Sequence, residues 1–334
     1  MGIPAIVTAG DRRAAKSVYG DSKVYLAVEG RPLVARVVDV LQRVREIDEV
    51  YVIGDAARLG EVFPDPVVAE LAKPLHILEQ FRNLFENCWE SYRRALPGAP
   101  PEGRDPQGED LDFQVLYLSA DMPFATPQEI SDFIRKGQES GAEYALGLVP
   151  RETLDVFLPA TPGGVGIEVA YFNMREGRLR QSNLHLAKPG RMGARELIEE
   201  MYEHRHQRRF FNMLVFGYKL MASDGGGLRV ALFYLLIHLG GLADRWGLHR
   251  LADWLRRANT LARTEDAISR ILKTRFRFVV TDVGGCAIDV DTEEEYDAVK
   301  ARFAEWSEAQ HARAVSLHGE LALPALAGRA AEAE

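Results

Sequence analysis

One group of residues suited to phosphate chemistry follows the first apolar run of the chain. Gly10 follows AIVT (residues 5–8) after one alanine, and the basic residues Arg12, Arg13 and Lys23 come after it. A glycine after a strand lets backbone N–H groups approach a polyphosphate, and arginine and lysine neutralise its charge. A strand-to-helix loop with a few solvated charges would have the same sequence, so the spacing alone leaves both interpretations open.

A second candidate is Asp121, which comes just after the apolar segment FQVLYLS (residues 113–119). Helix capping explains this carboxylate poorly, because Thr126 already supplies a cap for the helix that follows. Divalent-metal ligation explains it better, since Mg²⁺ is usually held by one or two carboxylates together with substrate phosphates. The sequence therefore predicts that Asp121 is a metal ligand.

A third candidate is the pair Asp289 and Asp291 in the segment AIDVDT, near the end of the chain. Either residue could supply the second carboxylate of a metal site. Asp291 could equally stabilise the N-terminus of the next helix through the helix dipole. The sequence alone leaves this choice open.

The segments that carry these residues alternate between strand-like and helix-like patterns. Such alternation predicts an α/β fold with a mostly parallel sheet and helices on both faces. The carboxyl ends of parallel strands are where ligands bind in such sheets, and each candidate follows a predicted strand. Strands are predicted at residues 5–8, 50–53, 113–119 and 145–149, and helices at 33–44, 77–95 and from 127.

The second half of the chain changes pattern. Two strands joined at Glu176 and Gly177 predict an antiparallel addition to the sheet, and further strands are expected at residues 275–280 and 286–290. A capping box beginning at Thr292 opens a helix that should end near Arg313. The predicted organisation is an α/β core (1–192), an inserted helical subdomain (193–273), a return to the core with a metal-binding strand and a final helix (274–316), and a loose tail (317–334).

Composition excludes several classes of protein. The 334 residues carry 41 Lys and Arg against 49 Asp and Glu, a formal charge of −8 that argues against general nucleic-acid binding. Two cysteines cannot form a disulfide framework, and the first residues do not resemble a signal peptide, so we expect a cytoplasmic protein. The apolar run VALFYLLI (residues 230–237) is too short to span a bilayer, which takes roughly 20 residues. It predicts a buried helix or, alternatively, a helix that contacts a membrane surface.

The order of the motifs points to a known family. The glycine-containing loop, GRPLVARVV, ADMPF and AIDVDTEEEY together resemble the molybdenum-cofactor-guanylyltransferase-like NTP transferases. The resemblance covers residues 3 to about 303. It implies a GT-A (Rossmann-like) fold, Mg²⁺ as cofactor, and transfer of NMP from an NTP, with CTP or GTP favoured.

The resemblance also implies roles for individual residues. Ala9, Gly10 and Asp11 would form the nucleotide loop, Arg12 or Arg13 and Lys23 would bind the triphosphate, and Gln80, Asn83 and Asn87 would approach the base. Asp121 would be the central metal ligand, with Asp291 as its partner and Asp289 as the substitute. Asp11 departs from the family, which usually has a second glycine there, so which arginine binds phosphate stays open.

The second half is expected to bind the acceptor. Residues 175–209 hold nine Lys and Arg against five Asp and Glu, an excess that suits an anionic small molecule, although a solvated helix face would also explain it. Asn183 and His185 lie at alternate positions of a predicted strand and could line the acceptor pocket. Either could instead be a buried residue with satisfied hydrogen bonds.

Two other functions fit the same residues. Asp289-Val290-Asp291 matches the Asp-x-Asp pattern of the metal-binding pair in GT-A glycosyltransferases that use a nucleotide sugar. A non-catalytic nucleotide-binding descendant is the other alternative, because Asp11 is an awkward neighbour for a triphosphate. Release of pyrophosphate distinguishes a nucleotidyltransferase from both.

Overall fold

The computed structural model describes residues 2–10, 17–159, 161, 163–193 and 260–321. The strands are β1 (Ile3–Ala9), β2 (Ser17–Val18), β3 (Asp21–Ser22), β4 (Ala27–Val28), β5 (Arg31–Pro32), β6 (Ile47–Gly54), β7 (Leu75–Glu79), β8 (Val115–Ser119), β9 (Tyr144–Pro150), β10 (Phe172–Met174), β11 (Gly177–Ala187) and β12 (Phe276–Val280). The α-helices are α1 (Leu33–Leu41), α2 (Ala56–Val62), α3 (Asp65–Ala69), α4 (Leu84–Ala95), α5 (Pro127–Glu139), α6 (Leu261–Leu272) and α7 (Glu293–His318).

Eight strands form one central sheet in the order β12-β9-β11-β8-β1-β6-β7, with β10 paired to β11. The pairs β1–β6, β1–β8, β6–β7 and β9–β12 are parallel. Strand β11 runs antiparallel to both of its neighbours, β8 and β9. The predicted α/β fold with a mostly parallel sheet is confirmed, and the antiparallel hairpin is inserted into the sheet interior.

Local sequence explains where several elements begin. Strand β1 is buried along almost its whole length because both faces of the sheet are covered, which is why it consists of a nearly continuous apolar run. Helix α5 begins after Thr126, whose hydroxyl accepts a hydrogen bond from the Glu129 N–H. Helix α7 begins with the predicted capping box of Thr292 and Glu295. These starting points fix the loops that follow β8 and precede α7.

An aromatic core joins the last helix to the segment after β8. Trp306 is fully buried, and its ring contacts the rings of Phe124 and Phe157 at centroid distances of 5.6 and 5.3 Å. Ile288 and Val290 belong to the same hydrophobic cluster. The core therefore holds the chain on either side of Asp289 against the end of β8.

Two predicted elements are wrong. Residues 77–95 do not form one helix: β7 ends at Glu79 and α4 begins at Leu84, because the first residues pair with β6 in the sheet. Residues 286–290 do not form a strand, so no metal-binding strand exists there. Gly285–Ala287 is a 3₁₀ turn, and an added Cβ at Gly285 would lie 1.8 Å from the Phe124 carbonyl oxygen. Gly285 thus lies against the backbone of the segment that follows β8, and the residues after it pair with no strand.

Other predictions meet the limits of the described residues. Helix α7 continues to His318, past the end expected near Arg313. Of the predicted helical subdomain, residues 194–259 lie outside the described residues, as does the apolar run at 230–237, and α6 is helical as predicted. Within the part of the chain that is described, no helix is long and apolar enough to cross a membrane.

Candidate active site

Three carboxylates meet at the carboxyl end of β8. Ligand oxygens of Asp121, Asp289 and Asp291 all lie within 4.8 Å of one another, and we refer to these residues as the acidic cluster. Asp121 is only 2% exposed and accepts a hydrogen bond from Ser119, whereas the side chains of Asp289 and Asp291 are 22% and 36% exposed. The three acidic residues selected from the sequence are therefore brought together.

Long-range contacts hold the segment that carries Asp289 and Asp291. The Val290 N–H donates to the Asp121 carbonyl oxygen at 3.3 Å. Arg180 on β11 donates from Nε to the Ala287 carbonyl at 2.8 Å and from Nη2 to the Asp289 carboxylate at 2.9 Å. Strand β11 thus fixes the position of a segment that has no strand pairing of its own.

A buried carboxyl group supports the same segment from α5. Glu129 is fully buried, and its Oε2 accepts a hydrogen bond from the Cys286 N–H at 3.0 Å. Burial raises the pKa of Glu129 to about 8, so the protonated carboxyl is favoured at neutral pH. The sequence identified Glu129 only as part of a capping box, because nothing local indicates that the loop before Asp289 packs over it.

Lys23 lies inside the acidic cluster. Its ammonium forms ion pairs with Asp121 and Asp291, although 268 residues separate it from the latter. Burial alone would lower the pKa of Lys23, but the carboxylates of Asp121 and Asp291 raise it above its usual value. The pKa of Asp289 is also raised, first by burial and then by the charge of Asp121. Among the described residues, two cations contact the three carboxylates: Lys23 and Arg180.

The donor set of the acidic cluster fits Mg²⁺. Carboxylate oxygens are the hard ligands that this ion prefers, and it commonly takes one or two from the protein and the rest from water and phosphates. The ammonium of Lys23 already lies against two of the three carboxylates, which shows that the position attracts a cation. Asp121 and Asp291 both contact this ammonium, whereas the Asp289 carboxylate is paired with Arg180.

On the β1 side of the acidic cluster, Gly10 lies against two buried amides. A Cβ at Gly10 would be 3.4 Å from Oε1 of Gln80 and 3.6 Å from Nδ2 of Asn87. Gln80 follows β7 and is 6% exposed, so it is not a helix-surface residue. Asn83 caps α4, with its side chain accepting from the Glu86 N–H at 2.8 Å. Ala9 ends β1 beside them, whereas Asp11, Arg12 and Arg13 lie outside the described residues.

On the β11 side, a cavity of about 360 Å³ opens from the acidic cluster. Asn183 and His185 both line it, as expected for alternate positions of one strand. The Nδ1 atom of His185 lies 2.8 Å from the Tyr144 hydroxyl, and burial lowers the pKa of His185 to about 4. The ring is therefore neutral, while Asn183 also donates to the Cys286 carbonyl at 3.3 Å.

Four of the basic residues expected around the acceptor have acidic or aromatic partners in the structure. Arg180 pairs with Asp289, Lys188 and Arg191 pair with Asp112, and Arg178 lies over the Tyr171 ring. Among the described residues that line the cavity, Lys23 is the only lysine or arginine. Four basic residues of the window lie outside the described residues: Arg195, Arg205, Arg208 and Arg209.

Comparisons with known proteins agree with this architecture. A family model described as a MobA-like NTP transferase domain matches residues 5–212. The chain is 24% identical over 152 residues to 2-C-methyl-D-erythritol 4-phosphate cytidylyltransferase from Chlorobium luteolum (strain DSM 273 / BCRC 81028 / 2530). That match covers 46% of this chain and 60% of the relative, so the chain spans less than two thirds of the curated protein it resembles.

One solved structure shares the fold. A hypothetical transferase from Thermus thermophilus superposes with a TM-score of 0.58 at 22% identity, over 88% of this chain and 99% of that one. A 4-diphosphocytidyl-2C-methyl-D-erythritol synthase from Anaerococcus prevotii DSM 20548 gives a TM-score of 0.44 at 14% identity, over 91% of this chain and 98% of that one.

Proposed function

The chain belongs to the MobA-like NTP transferase domain family, and on that premise we propose that it is a Mg²⁺-dependent nucleotidyltransferase. It transfers NMP from CTP or GTP to a small phosphorylated acceptor and releases pyrophosphate. The observation that carries the proposal is the acidic cluster at the end of β8, with Lys23 in it and different surroundings on its two sides.

The residues divide the work by position. Asp121 and Asp291 hold the metal ion, with Asp289 beside them. Lys23, with Arg12 and Arg13 from the loop after β1, neutralises the triphosphate. When bound, Mg²⁺ supplies positive charge at the phosphates where negative charge develops. The acidic cluster cannot bind a triphosphate without such a cation, because like charges would repel.

The acceptor phosphate needs no strong general base. Its second pKa is about 6, so its attacking oxygen is already mostly ionised at neutral pH. The protein must therefore align the oxygen with the α-phosphorus and stabilise charge. Neutral His185 suits hydrogen bonding to the acceptor, since burial holds its pKa near 4, well below that of an effective base.

Cytosine and guanine are the bases to test first. The curated relative is named as a cytidylyltransferase, which favours CTP. The buried amides of Gln80 and Asn87 lie beside Gly10, and amides can both donate to and accept from a base edge. This side of the acidic cluster is where the base and ribose of the nucleotide would lie.

Thermal unfolding with each of CTP, GTP, ATP and UTP, with and without Mg²⁺, tests the proposal. A ligand at about 100 times its Kd stabilises the folded chain by roughly 2.7 kcal/mol, which raises the Tm by a few degrees. We expect a rise with CTP or GTP that requires Mg²⁺. No rise with any nucleotide, together with a rise for a nucleotide sugar, would replace the proposal by a glycosyltransferase.

A further inference from the structure

The cavity on the β11 side becomes apolar with distance from the acidic cluster. Strand β8 ends at the cluster, and His185 pairs with Tyr117, two residues back from Ser119. Ala187 pairs with Val115, two residues further still, and with Tyr144 on β9. At about 3.3 Å per residue, this floor extends on the order of 13 Å from the cluster.

The wall facing this floor comes from the first turns of α4. Leu84, Phe85 and Trp89 line the cavity there, and Met192 lines it after β11. Leu84, Phe85 and Met192 are only half-buried and belong to none of the hydrophobic clusters formed by the described residues. Large apolar side chains that line a cavity without holding the core together are available to a ligand.

Beyond the acidic cluster and Lys23, the polar residues of the described lining are uncharged: Thr8, Tyr117, Ser119, Tyr144, Gln181, Asn183 and His185. Asn183 and His185 stand on the floor near the cluster, and burial keeps His185 neutral. Among the described residues of the lining, every charged group belongs to the acidic cluster or is Lys23. One end of the cavity therefore suits a phosphate bound through a metal ion, and the rest suits an uncharged body.

Resting on the proposed function, we propose that the acceptor is a phosphate monoester whose body is flat, apolar and uncharged. Its phosphate lies at the acidic cluster, and its body lies against the aromatic side chains of the lining, which are Phe85, Trp89, Tyr117 and Tyr144. These aromatic side chains favour a planar ring system, which they can contact by stacking or edge-to-face. Asn183 and His185 orient it through one or two polar atoms.

The same walls disfavour a phosphorylated polyol or an acceptor with a second phosphate. Hydroxyl groups beside Leu84, Phe85 and Met192 would lose hydrogen bonds to water without gaining others. A second phosphate would find no described lysine or arginine on the cavity lining apart from Lys23. Among the described residues, the lining therefore offers one position for a phosphate, at the acidic cluster.

Isothermal titration with two phosphates of equal charge tests the proposal. In the presence of Mg²⁺, 1-naphthyl phosphate should bind the full-length chain at least about tenfold more tightly than ribose 5-phosphate, because it buries apolar area. Phe85→Ser should weaken the binding of 1-naphthyl phosphate about tenfold and leave ribose 5-phosphate unchanged. Leu84→Ser tests the same wall independently. Phe172→Ser, at an aromatic residue that is 43% exposed on β10, should change neither.

Each outcome decides between the two proposals. Equal affinity for the two phosphates, or equal weakening by Phe85→Ser and Phe172→Ser, would overturn the apolar acceptor. If CTP or GTP binds with Mg²⁺ but 1-naphthyl phosphate does not, the nucleotidyltransferase stands and the acceptor class is wrong. If 1-naphthyl phosphate binds in a Phe85-dependent way and no nucleotide binds, the cavity is assigned correctly and the proposed reaction is wrong.

Discussion

The acidic cluster is assembled from two differently built arms. Asp121 stands at the end of a buried strand and is held by local structure, with Ser119 bonded to its carboxylate. Asp289 and Asp291 lie on a segment without strand pairing, which Arg180 and Asn183 of β11 and Glu129 of α5 hold in place. The first arm depends on secondary structure, whereas the second depends on tertiary contacts. The two arms should therefore respond differently to substitution.

The largest effect on activity is expected for a substitution of Asp121, in the first arm. Asp121→Asn keeps the shape of the side chain but removes the charge that a metal ion needs. We expect Mg²⁺-dependent pyrophosphate release to fall about a thousandfold, with the fold retained. Nucleotide binding with and without Mg²⁺, measured beside turnover, shows whether the metal dependence is lost.

Asp112→Asn is the matched control for this substitution. Asp112 is an exposed aspartate paired with Lys188 and Arg191, away from the acidic cluster. It should leave metal dependence unchanged. An Asp121→Asn chain that binds nucleotide and Mg²⁺ as tightly as the unaltered chain would show that the metal site has been assigned wrongly.

The stability of the folded chain should depend on pH through Glu129, which supports the second arm. Burial raises the pKa of Glu129 from 4.5 to about 8, so the folded chain keeps a proton that the unfolded chain loses. The stabilisation is complete below pH 4.5 and is lost as the pH rises towards 8. Glu129→Gln should remove this dependence. The difference in the free energy of unfolding between the two chains should therefore change in favour of the variant by on the order of 3 kcal/mol from pH ~4.5 to pH ~7.

Denaturant unfolding across this pH range measures the difference between the two chains. For Glu139→Gln, at an exposed residue of the same helix, the free energy of unfolding should differ from that of the unaltered chain by the same amount at every pH. If the free energy of unfolding of Glu129→Gln also differs from that of the unaltered chain by a constant amount, the buried carboxyl is ionised and is stabilised by its hydrogen bonds.

The smallest expected effect is a difference in Mg²⁺ requirement between substitutions of Asp289 and Asp291, the two carboxylates of the second arm. Asp291 shares the Lys23 ammonium with Asp121, whereas the Asp289 carboxylate is bonded to Arg180. Asp291→Asn should therefore raise the Mg²⁺ concentration needed for half-maximal activity about tenfold more than Asp289→Asn does. Titration of activity with Mg²⁺ gives both values. The reverse order would make Asp289 the partner of Asp121.

The sequence predicts the position of Asp121, the first arm, because the sequence signals for it are local. The apolar runs of β1 and β8 are largely buried strands, and the caps at Thr126 and Thr292 start helices as expected. Asp121 follows directly from such a run. Continuous burial leaves a continuous apolar sequence, which can be recognised without knowledge of the partner strands.

The remaining features depend on partners that are distant in the chain. Residues 286–290 have an apolar, strand-like sequence, but the contact of Gly285 with Phe124 takes them out of any ladder. Residues 77–79 have a helix-like pattern, but they pair with β6. The aromatic cavity arises only where α4 faces β11, so no single stretch of sequence contains it. In each case the tertiary contact overrides the local preference.

The pairing of Lys23 with Asp291 has a consequence for protein synthesis. A ribosome adds about 5–20 residues per second, so Asp291 is made tens of seconds after Lys23, 268 residues earlier in the chain. During that interval the nascent chain already contains Gly10, Lys23 and Asp121 but neither of the late carboxylates. We therefore expect a prematurely terminated product that ends before Asp289 to carry an incomplete site and to turn over no nucleotide, so that turnover begins only when synthesis is nearly finished.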